Sequence, residues 1–191
     1  MKSVTIFILC LSLFTNGYSQ NKRIKEITVI GDKDYQPFEF LSRDNAAQGL
    51  LIDIWKLWSK KTGIKVHFKL SNWQEGLNHI KKNTNAVIGG LFYSEKRAKI
   101  LDFSTPFFEV STHLFIHNSE QAINTIADIR NTELAVIKGY KSEDYVRSHY
   151  PHIRLQVFDT NNDLFQAVQK GKVKITTFTE LVQALESYSS H

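Results

Sequence analysis

The chain is nearly without cysteine. Its one cysteine, Cys10, lies in an apolar run close to the start, and none follows it. Disulfides, thiol nucleophiles and cysteine metal sites are therefore excluded for the rest of the chain. No HExxH motif and no Cys/His spacing of a metal site occurs. His113 and His117 fall four apart on one face of an expected strand, too far to chelate unaided, so no metal is expected. GxSxG, the P-loop and GxGxxG are absent too. No cofactor is expected. Charge of one sign is never concentrated. The net charge is +5, but the lysines are dispersed and no dense basic run alternates with aromatics. Nucleic acid is thus not an expected partner. After the first apolar run no segment is long enough to cross a bilayer. There is no repeat of fixed period and no low-complexity stretch.

What is present suits one compact unit or two small lobes. The 191 residues are 42% hydrophobic and 12% aromatic, enough to build a core. Residues 1–19 read as a secretory leader. Lys2 supplies the charge, Val4 to Phe14 the short apolar core, and Gly17 and Ser19 the small residues before a cut at Gln20. Cys10 goes with the leader. An exported, soluble protein is expected.

The remainder alternates strand and helix patterns. Glu26 to Ile30 reads as a first strand from its β-branched content. Asp34-Tyr35-Gln36-Pro37-Phe38 reads as a rigid aromatic loop, with Phe38 and Phe40 packing inward. Gly49 to Thr62 has Leu51, Ile54, Trp55 and Trp58 at helical spacing, and Gly63 stops it. Lys65 to Leu70 alternates as a half-buried strand. Trp73 opens the next helix, with Leu77 and Ile80 inward. Later strands are expected at Thr112 to His117, Glu133 to Ile137, Arg154 to Phe158 and Val173 to Phe178. Helices are expected at Asn161 to Gln169, with Leu164, Phe165 and Val168 inward, and at Glu180 to Tyr188. This alternation points to an α/β fold with mostly parallel sheets flanked by helices. Ligands in such folds sit beyond the carboxyl ends of the strands.

The stretch around which this is organised is Val87 to Glu109. A buried strand breaks at Gly89-Gly90, and a short basic helix follows with Ser94 at its start. Paired glycines let a ligand approach the backbone, because no Cβ blocks it. A helix start offers unpaired N–H groups to an anion. Arg97, three residues after Ser94, shares its face and can close a planar fork on a carboxylate. The arrangement reads either as a pocket for a small anion or as a strand–helix turn with a solvated arginine. Lys138 to Ser142 repeats the pattern: a strand, the turn at Gly139, and a helix start with Ser142 as cap and Glu143 and Asp144 in its first turn.

Ser94-x-x-Arg97 followed by Asp102-Phe103-Ser104-x-Pro106-Phe107 resembles the bacterial extracellular solute-binding family 3. Further matches run in order from about Ile27 to Thr179. The resemblance implies a two-lobed periplasmic-binding fold with the ligand cleft between the lobes. It implies a leader at 1–19, lobe 1 over 20–117, lobe 2 over 118–179, and a C-terminal helix over 180–191 that abbreviates the family's return to lobe 1. Ile126 to Ile129 resembles the short helix that opens the second lobe. The resemblance also implies ligand-binding roles. Arg97 would clamp a carboxylate, aided by the N–H groups of Gly90 and Phe92 and by Ser94. Tyr35 and Trp73 would stack on the solute, and Gly139, Tyr140, Lys141, Ser142 and Thr179 would close from lobe 2.

Three positions depart from the family pattern. Phe92 stands where a hydroxyl residue is common, Lys141 where a small residue is common, and Thr179 where an Asp usually holds a ligand ammonium. Glu180 is adjacent to the last of these. The function implied is capture of a small carboxylate-bearing, amino-acid-like solute for an ABC-type importer by hinge closure, by a monomer read by a membrane permease or receptor. A sensing module, a dehydratase of the same fold with Glu180 as its acid/base group, and a shortened remnant are the alternatives.

Overall fold

In the computed structural model of the chain, residues 24–82 and 85–179 are described. The expected leader, Glu180 and the expected last helix lie outside the described residues. Two main sheets are built from them, one parallel and one mixed, each with helices against it.

The first layer is a parallel sheet of three strands in the order β5-β1-β6. β1 spans Glu26–Asp32, β5 Lys65–Ser71 and β6 Ala86–Ile88. Glu26 pairs with Lys65 and Asp32 with Ser71, so β1 and β5 end level with one another. α1 (Leu50–Thr62) and α2 (Trp73–Ile80) pack on this sheet. α1 ends at Gly63 with φ of 73°, the left-handed turn that glycine adopts without steric cost. Of the expected stripe, Leu51 is buried and Trp55 and Trp58 are half-buried, but Ile54 is exposed, and Ile52 is buried in its place. A small antiparallel ribbon, β2 (Asp34–Tyr35), β3 (Glu39–Leu41) and β4 (Ala47–Gln48), sits at the carboxyl end of β1.

The second layer has the order β7-β10-β8-β9, with β7 Thr112–Ile116, β8 Leu134–Ile137, β9 Leu155–Phe158 and β10 Ile175–Thr179. β10 runs parallel to β8 and antiparallel to β7. β7 therefore belongs to the second sheet. The crossing between layers lies before Thr112 rather than at Asn118, since backbone pairing with β10 outweighs proximity in sequence to lobe 1. α4 (Lys141–His149) and α5 (Asn161–Gln169) flank β8 and β9. α5 buries Leu164 and Ala167, while Val168, expected inward, is exposed. Phe165 stacks on Phe178 with ring centres 4.5 Å apart.

One buried cluster is confined to the second layer, around Ile129, Leu134, Val136 and Ile175. The other crosses between the layers. Phe38 and Leu51 from the first pack with Ile137, Leu164 and Phe178 from the second. The carboxyl ends of the parallel strands in both layers face this shared zone.

Candidate functional site between the layers

The strand β6 breaks at Gly89-Gly90. A Cβ on Gly90 would stand 2.6 Å from the Leu51 side chain, so only glycine lets the turn lie this close to α1. The short helix α3 (Glu95–Ala98) follows, and Ser94 caps it, its Oγ accepting the Arg97 backbone N–H at 3.3 Å. This is the cap that the serine's place in the sequence implied.

Arg97 is buried at 6% exposure. Its guanidinium turns back along the loop, and Nη1 donates to the Phe92 carbonyl at 2.8 Å. Nη2 crosses to the other layer and donates to the Gly139 carbonyl at 3.0 Å. Trp73 Nε1 donates to the same carbonyl at 2.9 Å. Burial pulls the Arg97 pKa down, and the nearby Asp144 charge opposes that. A buried guanidinium carries a strong demand for acceptors. Among the described residues, the carbonyl oxygens of Phe92 and Gly139 supply them.

Apart from Gly90, which lies against Leu51, the residues expected at the site fall into two groups. Tyr35, Trp73, Phe92, Ser94, Arg97, Gly139, Tyr140 and Thr179 converge between the layers. Tyr35 stacks on Phe38 with centres 4.9 Å apart, and its hydroxyl donates to Thr179 Oγ1 at 3.3 Å. Burial pushes the Tyr35 phenol up to about 12. Lys141 and Ser142 stand differently. Lys141 is exposed, with Nζ 5.9 Å from the centre of the Phe92 ring. Ser142 is not the helix cap, because α4 starts one residue earlier and Tyr140 takes the cap position. No described side chain caps α4, and Glu143 from its first turn reaches back to the preceding turn, its Oε2 accepting the Gly139 N–H at 2.7 Å. Gly139 has φ of 76°, and a Cβ there would meet Gln74 Oε1 at 2.7 Å.

Sequence reasoning passed over three buried polar residues at the centre. Asp32, at the end of β1, accepts the Asp34 N–H at 2.9 Å and the Tyr140 hydroxyl at 2.8 Å. Burial pushes its carboxyl up to about 6, against the pull of those two bonds. Glu39 is 1% exposed. Its Oε1 accepts the Asp32 N–H at 2.8 Å, while Oε2 is buried without a partner. Burial raises the Glu39 carboxyl to about 8, and the Asp32 charge adds to the rise. A Cβ on Gly31 would lie 2.2 Å from Glu39 Oε2, and one on Gly89 3.2 Å, so these glycines make the room for the carboxyl. Asn161, at the start of α5, donates to the Asp34 carbonyl and to the Tyr140 hydroxyl, both at 2.8 Å. The signal in the sequence was Asp32 closing a β-branched strand and Glu39 set between Phe38 and Phe40.

The sequence profile of the bacterial extracellular solute-binding proteins, family 3, matches residues 27–191. The chain belongs to this family. It is 24% identical over 174 residues to ABC transporter arginine-binding protein 1 of Escherichia coli (strain K12), a match covering 91% of this chain and 69% of that protein. It is 23% identical to the L-cystine-binding protein TcyJ of the same organism, over 73% of this chain and 53% of the relative. Among solved structures, an ancestral arginine-binding protein bound to arginine superposes with a TM-score of 0.76 at 23% identity, covering 86% of this chain and 74% of that one. A histidine kinase sensor domain with similarity to periplasmic binding proteins gives 0.74 at 24% identity, over 82% and 69%. These structural matches establish the two-lobed α/β fold for this family member. Among its described residues no group of three His, Cys, Asp or Glu is placed to hold a metal, and no helix is long and apolar enough to cross a membrane.

Proposed function

We propose that this family member is an exported solute-binding protein. It captures a small carboxylate-bearing, amino-acid-like solute between its lobes and presents the closed form to an ABC-type permease or a receptor. The observation that carries this reading is Arg97, a buried guanidinium at the meeting of the lobes whose described hydrogen bonds end on carbonyl oxygens. A carboxylate is a better acceptor than a carbonyl for such a fork, because its charge strengthens both bonds. Asp32 gives the same cleft an acidic counterpart on lobe 1, which suits a zwitterion despite Thr179 standing where an acid is common. The relatives named for arginine and cystine binding support the amino-acid class. Contacts made in both lobes favour the closed state, which is how a solute drives hinge closure. The role proposed is binding, not catalysis.

The test is a thermal-shift screen of the chain against the common amino acids and simple dicarboxylates. One class should raise the melting temperature in a concentration-dependent way. Arg97→Ala should weaken that ligand by at least tenfold, since a bond to a charged group contributes about 1.5–3 kcal/mol. Unaltered affinity in Arg97→Ala would refute the site.

A further inference from the structure

The aromatic slot of this cleft is filled by the protein itself. Tyr140 reaches from the lobe-two turn and sits edge-on to both rings that the sequence reads as the stacking pair. Its ring centre is 5.9 Å from that of Tyr35 and 6.0 Å from that of Trp73, with the planes at 79° and 85°. Its hydroxyl donates to Asp32 on lobe 1 and accepts from Asn161 on lobe 2, both at 2.8 Å. The preceding carbonyl, Gly139 O, takes the bonds of Arg97 and Trp73. Gly139-Tyr140 therefore presents, in one dipeptide, an oxygen to the arginine, a ring to the aromatic walls and a polar end to the acid.

We propose that Gly139-Tyr140 is a built-in occupant of the solute slot, which holds the lobes closed in the absence of solute and which any solute must displace. Solute affinity is then lowered by the fraction of molecules in which Tyr140 fills the slot. The slot itself is a binding site for a phenol-like ring bearing one hydrogen-bond donor. The proposal rests on reading this cleft as the solute site, but its test needs no amino acid.

Tyr140→Gly removes the ring and hydroxyl and leaves a cavity of matching shape. The probe is p-cresol, which is the tyrosine side chain alone. In the full chain, millimolar p-cresol should raise the melting temperature of Tyr140→Gly by several degrees and leave the wild type unmoved. Small-angle scattering should show a compact wild type, a larger radius of gyration for Tyr140→Gly, and a return toward the wild-type value with p-cresol. Tyr140→Phe keeps the ring and loses both hydroxyl bonds. It should fold and show a partial expansion, which keeps the test decisive if the glycine variant does not fold. Equal p-cresol shifts in wild type and Tyr140→Gly, or a Tyr140→Phe radius equal to that of the wild type, would overturn the proposal. A p-cresol response without any amino-acid response would uphold the slot and sink the amino-acid reading alone.

Discussion

Replacing Glu39 with Gln tests the centre of lobe 1. The folded protein holds this carboxyl protonated up to about pH 8, against an ordinary value of 4.5. The unfolded chain gives up the proton in the ordinary range. Between those values the native state binds more protons than the unfolded one, so stability falls as pH rises, by up to about 1.4 kcal/mol per pH unit. Asp32, raised to about 6, adds a fall of the same sign only up to about pH 6. The window from pH 6 to 8 therefore reports Glu39, and the loss across it is about 2 kcal/mol once the curve flattens near pH 8. Glu39→Gln keeps the volume and cannot ionise. Its amide N–H groups would point where Oε2 has no partner, which costs roughly 1–3 kcal/mol at pH 6. The variant should thus start lower and stay flat, and the two curves should approach one another near pH 8. Urea titrations at pH 6, 7 and 8 measure this directly. Parallel curves for wild type and variant would refute the assignment of a neutral Glu39.

Two further substitutions check the packing around this site. Gly31→Ala places a methyl 2.2 Å from Glu39 Oε2 and 2.8 Å from Leu70 Cδ2, so it should cost about 1–3 kcal/mol by overpacking, seen in thermal denaturation. A melting temperature equal to the wild type's would mean the carboxyl does not occupy that space. Thr160→Ala removes the hydroxyl that accepts the Asp163 N–H at 3.1 Å and caps α5, and should cost about 1 kcal/mol in urea titration. Because α5 presents Asn161 to the cleft, a larger loss would indicate that the cap also supports the contact between lobes.

Much of the scaffold was legible because it is written in local chemistry. α5 has the bounds its periodicity implied, from Asn161 to Gln169. Ser94 caps α3 and Gly63 ends α1, as a serine and a glycine at those places do. The convergence of Tyr35, Trp73 and Arg97 followed from where strands end. Other features were beyond sequence reading. Ser142 looked like a cap, but α4 begins at Lys141 and Glu143 reaches back to the Gly139 N–H, a choice made by the turn's geometry and not by residue type. β7 looked continuous with lobe 1, and only its pairing with β10 assigns it to the second sheet.

The amino-acid sequence by itself determined the alternation of strands and helices, the glycine breaks at the carboxyl ends of β6 and β8, and the membership of family 3. The first two depend on neighbours a few residues apart, where periodicity, caps and turn residues act, and the third on motifs that recur in order along the chain. Only the tertiary structure decided which groups share a low-dielectric cleft. Asp32, Glu39, Tyr140 and Asn161 are spread across 130 positions, and nothing local marks them as partners. Their protonation and hydrogen bonding arise from burial between two layers, a property that no short stretch of chain possesses alone.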